Sequence, residues 1–177
     1  MRNLENTFLP EDYEIPASSG GKFMRLKTGE NRFRKLSNSI PRGAMTGYVV
    51  WVEENGNRKA KRYRTSEEIP QEYLKSGEKP KHFWAIKIID WSDRQVKILE
   101  ITQATIQKDI LKLTQNSKWG NPEGFDINVN KTGEGKDTRY STMPEPKSGL
   151  DDEILQLDKN TPCDLNKLFD GGDPFSA

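Results

Sequence analysis

Cysteine and histidine are nearly absent: Cys163 and His82 are the only ones in 177 residues. A single cysteine excludes an internal disulfide and fits a reducing compartment. One of each cannot make a His/Cys zinc site. Long hydrophobic runs are missing too. The longest fall far short of the roughly 20 residues that cross a bilayer, and no apolar signal core opens the chain. Hydrophobic residues make up 32% against 31% charged, with a mean hydropathy of −0.90. That core is small for the length, so one domain with unpacked ends is expected. Catalytic signatures are scarce as well. There is no Ser/His/Asp set and no Gly-rich phosphate loop; Thr132-Gly133-Glu134-Gly135-Lys136 lacks the spacing and the following helix.

Charge is present in both signs but segregated. The net charge is only +1, yet residues 22–64 hold twelve Lys/Arg against Glu30, Glu53 and Glu54, a local +9. Residues 145–177 carry eight Asp/Glu against three Lys, and residues 1–15 four acids against Arg2. A basic body between acidic ends points to a polyanionic ligand.

The densest apolar stretch, residues 82–101, reads as two strands joined by Ser92-Asp93. Trp84, Ile86 and Ile88 share one face and make the better core side. Phe83, Ala85, Lys87 and Ile89 share the other, which reads as a half-wet face open to a ligand. Earlier strands fall at 31–36 and 48–53, the latter returning through Asn55-Gly56, a strong hairpin turn, into 58–64. A helix over 105–116 buries Ile106, Ile110, Leu111 and Leu113. A last hairpin pairs 125–131 with 138–143. The order of hairpins and one helix predicts a mainly β fold, an OB-fold-like antiparallel five-stranded barrel with one helix and extra hairpins. Residues 1–21 read as a flexible arm closing in Ser18-Ser19-Gly20-Gly21. Residues 22–146 form the domain, and 147–177 an acidic, largely disordered tail.

Single-stranded nucleic acid needs cations for phosphates and flat rings for unpaired bases. Arg58, Lys59, Lys61, Arg62 and Arg64 surround Tyr63, with Trp51 across the turn. Arg32, Arg34, Lys35, Phe83, Lys87 and Trp91 extend the candidate groove. The bland alternative for such a run is a solvated edge strand that resists aggregation. Asp90, Asp93 and Glu100 offer a Mg²⁺ site for a nuclease, although acids at turns are commonplace. A third reading is an interaction protein whose basic face meets an acidic partner. The favoured expectation is a non-enzymatic protein that needs no cofactor or metal and meets no membrane.

Residues 81–90 and 96–101, Trp119-Gly120-Asn121-Pro122, Phe125-Asp126-Ile127, residues 133–140 and Met143-Pro144 together resemble the single-stranded DNA-binding proteins of tailed phages. The resemblance covers roughly 22–150. It implies an OB-fold that coats single strands without sequence preference during replication, recombination or repair, in the cytoplasm of an infected bacterium. It also implies an acidic C-terminal tail that recruits replication or recombination proteins; Asp164, Phe169, Asp170, Asp173 and Phe175 match that character. The best-known members carry a zinc-binding insertion whose ligands this chain lacks, so the resemblance is to zinc-free members. Self-association on DNA is compatible with it.

Overall fold

The computed structural model describes residues 22–74 and 79–176; the arm assigned to 1–21 lies outside the described residues. Seven strands form one antiparallel sheet: β1 Gly29–Lys35, β2 Met45–Glu54, β3 Asn57–Tyr63, β4 Lys81–Asp90, β5 Gln95–Ile101, β6 Ile127–Thr132 and β7 Arg139–Pro144. The helices are the single turn α1 Gln71–Leu74, then α2 Ala104–Gln115 and α3 Asp152–Asn160. Asn55 and Gly56 both take positive φ (52° and 79°), which matches the right-handed twist of the flanking β2 and β3.

β4 organises the sheet. Along one edge it pairs with β5, from Trp84↔Ile101 to Asp90↔Gln95. Its other edge is shared: β2 takes the first half (Met45↔Ala85 to Val49↔Lys81) and β1 the second (Phe33↔Asp90 to Lys35↔Ile88). From β1 the sheet runs on through β6 to β7. The sheet is therefore open and seven-stranded, not a closed barrel of five. β5 and β7 do not pair among the described residues, and the β2–β3 hairpin widens the sheet on the far side.

Alternation splits β4 as expected, but both faces are dry. Ile86 and Ile88 join Phe33, Leu99, Ile101, Phe125, Ile127 and Val129 in the first core, closed by Ile106 and Ile110 of α2. Leu111, expected on that side, is instead 46% exposed. The opposite face, read from sequence as half-wet, is sealed. Phe83, Ala85 and Ile98 pack on Cys163, Leu165 and Leu168 in a second core, and Ile89 packs on Leu36 and Ile154 in a third. The expectation of a disordered tail over 147–177 thus fails. Few apolar residues stand in that acidic stretch, but most of them are aimed at β4. Asp151 caps α3 by accepting from the Ile154 N–H (2.9 Å). A 3₁₀ turn, Leu165–Asp170, ends at Gly171 in the left-handed region (φ 71°). Burial pushes the Cys163 thiol up to about 11, so it stays protonated and inert near neutral pH.

Lys87 is fully buried. Its ammonium donates to Asp158 Oδ1 (2.6 Å), to the Asp158 carbonyl (2.8 Å) and to the Asn38 carbonyl (3.0 Å). Asp158 Oδ2 accepts in turn from the backbone N–H groups of Ser37 and Asn38 (3.2 and 3.3 Å). Removing one partner of such a pair strands the other charge. Asp158→Ala is expected to cost about 3–5 kcal/mol of folding free energy, read from the urea midpoint. A loss below about 1 kcal/mol, the range of an exposed pair, would show that the lysine is not held this way.

Candidate nucleic-acid interface

The expected cations separate into two groups. On β1, Arg34 is 2% exposed and makes four hydrogen bonds. It donates to Asp126 Oδ1 (2.8 Å), to the carbonyls of Glu123 (3.2 Å) and Ser148 (2.9 Å), and to Ser148 Oγ (2.9 Å). Arg32 is half-exposed and takes the other Asp126 oxygen (2.8 Å). Lys35 is buried against Glu123 (3.2 Å) and the carbonyls of Leu36 and Arg42. Burial lowers its pKa, against the raising pull of Glu123. Together with buried Lys87, Arg34 and Lys35 hold the fold rather than offer a surface, while Arg32 keeps half of its side chain in solvent. Phe83 is wholly buried. Trp91 packs on the third core, with the Arg94 guanidinium 5.6 Å from its ring centre. None of these six lines the groove described next.

That groove has a volume of about 950 Å³ and runs between β3, the extended residues 22–25 and the C-terminal segment 168–174. Edge strand β3 supplies Lys59, Lys61, Arg62 and Tyr63; Trp51 of β2 stands opposite Ala60 in register. The segment before β1 adds Lys22, Phe23 and Arg25, held against β5 by the Met24 N–H donating to the Ile98 carbonyl (2.8 Å). Trp51 is 40% exposed, with the Arg58 guanidinium 5.4 Å from its ring centre. Arg62 donates to Glu100 Oε2 (2.6 Å) and lies 5.7 Å from the Phe23 ring. Lys61 and Lys59 approach Glu54 more loosely, at 3.3 and 3.8 Å. Burial raises the Tyr63 phenol above its ordinary value.

The expected tail residues form the far wall or its support. Phe169, Asp170 and Asp173 line the groove. Asp164 caps the 3₁₀ turn, accepting from the Asn166 N–H (3.1 Å), and Phe175 packs on the second core. Asp173 accepts from Lys22 (2.7 Å), a hydrogen bond that holds its carboxyl below the usual range. Arg64 sits beside the groove, its guanidinium 4.3 Å from the Phe169 ring centre. Sequence reasoning counted Lys22 and Arg25 in the basic excess but assigned them no role. The alternation of cations and apolar residues over 22–27 was the available signal.

The acids considered for Mg²⁺ are spent elsewhere. Lys97 donates to Asp90 (2.9 Å) and Asp93 (2.6 Å), and Glu100 holds Arg62. No group of three His, Cys, Asp or Glu side chains converges to hold a metal among the described residues. Likewise, no helix among them is long and apolar enough to cross a membrane.

The chain is 28% identical over 145 residues to a protein of Escherichia phage T5 named as a probable ssDNA-binding protein. The match takes in 69% of this chain and 54% of that protein, so the chain spans about half the length of its relative. No protein-family model matches the chain, and no solved structure matches it.

Glu123 and Asp173 tie distant segments, Asp90 braces its own hairpin, and all three sit below their ordinary pKa. Glu123 is lowered chiefly by the hydrogen bond from Arg42, and Asp173 by that from Lys22. At Asp90 burial pulls upward, but hydrogen bonds from Lys97 and Ser92 outweigh it. A depressed folded pKa means that the unfolded chain binds protons first as pH drops. The contribution of these groups is complete above the ordinary values, 4.5 for Glu123 and 3.8 for the aspartates, and is lost as pH falls through and below them. Urea midpoints measured down the acid limb should fall accordingly, and Glu123→Gln should flatten that limb. An unchanged limb in the variant would remove Glu123 from the acid response.

Proposed function

We propose that the chain binds single-stranded DNA without sequence preference along the groove between β3 and the C-terminal segment. One observation carries this: cations from two separate segments and the rings of Phe23, Trp51, Tyr63 and Phe169 open onto the same trough of about 950 Å³. Cations that track a backbone, interleaved with rings that stack any base, bind strands by charge and stacking rather than by base-edge readout. The printed name of the phage T5 relative supports the same chemistry.

The path β5-β4-β1-β6-β7, with α2 entering between β5 and β6, supports an OB-like plan into which the β2–β3 hairpin is inserted. The outer face of β4 and β5, where such folds commonly take oligonucleotides, is covered here by the C-terminal segment. The binding track therefore shifts to the inserted hairpin. On this reading the protein is a non-enzymatic phage component that serves DNA replication, recombination or repair in the host cytoplasm. Recruitment of partner proteins, implied by the family resemblance, falls to the exposed rim at Asp170 rather than to a free tail.

Titration with oligo(dT) tests the reading. Trp51 fluorescence should be quenched, and log K should fall with log salt by about 0.7 for each phosphate neutralised. Trp51→Ala is expected to cost about 1–3 kcal/mol of binding free energy, and Lys59→Ala with Lys61→Ala should lower the salt slope. Wild-type protein that shows neither quenching nor a salt-dependent affinity would end the proposal. Preference for a purified acidic protein would favour the interaction-protein reading instead.

A further inference from the structure

The groove cations differ in what already neutralises them. Arg62 is spent on Glu100 at 2.6 Å, Lys22 on Asp173 at 2.7 Å, and Lys61 leans on Glu54. Arg25 in the groove and Arg64 beside it are exposed and have no carboxylate partner among the described residues; Arg64 differs in what surrounds its guanidinium. It is held in place. The guanidinium lies 4.3 Å from the centre of the Phe169 ring, and Nη1 is 3.5 Å from the amide oxygen of Asn166. Both contacts orient a cation without cancelling its charge.

Phe169 is itself seated against the sheet. Its ring centre is 6.3 Å from that of Phe83, and it passes over β2 at Gly47. A Cβ at Gly47 would lie 3.0 Å from the Phe169 ring and 2.6 Å from the Tyr63 carbonyl, so glycine is what lets the ring approach. The turn that carries Phe169 is anchored by buried Leu165 and Leu168 and closed by the Gly172 N–H donating to the Lys167 carbonyl (2.9 Å).

We propose that the C-terminal segment stays seated when a strand binds, and that Phe169 is a positioning residue which presents Arg64 to a phosphate of the strand. The proposal rests on the single-strand reading above. It makes the segment a permanent wall of the binding track rather than a competitor displaced from it.

A double-mutant cycle on oligo(dT) binding tests this in the full-length chain. Arg64→Ala should reduce the magnitude of the log K against log salt slope by about 0.7, one single-strand phosphate contact. Phe169→Leu keeps the apolar contact with the second core but removes the ring face, and should give the same reduction. The double variant should lose no more than either single change, and Phe169→Trp should retain the wild-type slope. A wild-type slope in Phe169→Leu, or fully additive losses, would overturn the positioning role. Hydrogen exchange supplies the second readout: amides of 165–172 should keep or gain protection when oligo(dT) is added. Loss of protection there would mean that the segment lifts away. Failure of the wild-type chain to bind oligo(dT) removes the underlying reading, whereas binding with these variants unaffected removes only this inference.

Discussion

A buried ammonium sets the terms for this structure. Lys87 lies on the second face of β4, among Phe83, Ala85 and Ile89, with no solvent exposure. A cation there is tolerable only with a carboxylate and a full set of acceptors. Asp158 supplies both the carboxylate and a backbone carbonyl, and Asn38 supplies the third acceptor. Meeting that demand fixes α3, and α3 carries the chain back over the face of β4. The segment that follows then buries Cys163, Leu165 and Leu168 on the second core and ends as a wall of the groove. The ion pair therefore shapes the groove without touching it.

The same logic sorts the remaining cations. Arg34 and Lys35 are buried at the end of β1, and each takes a carboxylate plus backbone carbonyls. Their charges are neutralised within the fold and add little to the outer field. β3 is an edge strand with neighbours on one side only, so Lys59 and Lys61 stay near solvent with looser pairings to Glu54, whereas Arg62 is held by Glu100 at 2.6 Å. A local excess of +9 over residues 22–64 thus overstates what a ligand meets. The effective field comes from β3 and from residues 22–25, with Asp170 and Asp173 tempering it from the opposite wall.

Much of the scaffold was legible from local pattern. Asn55-Gly56 marks its hairpin because both positions need positive φ. The alternation over 125–131 appears as buried Phe125, Ile127 and Val129. Ile106 and Ile110 mark the dry side of α2, while Leu111, one residue on, rotates out toward solvent. At the groove, Trp51, Lys59, Lys61, Arg62 and Tyr63 were legible as a basic strand beside rings. Phe83, Arg34 and Lys87 were misread as surface, since their types suited a ligand and nothing nearby in sequence showed what covers them. The acidic stretch after 147 was read by its average composition, although Ile154, Leu165 and Leu168 suffice to dock it.

The sequence by itself determined the strands, the hairpin turns, the helix α2 and the segregation of charge. Each depends on residues only a few positions apart, through backbone sterics, side-chain alternation and counting. Tertiary structure alone decided which cations line the groove and that the C-terminal segment is its wall rather than a tail. A charge is buried or exposed according to partners far along the chain, 71 residues from Lys87 to Asp158 and 114 from Arg34 to Ser148, and no local pattern encodes a contact across that distance.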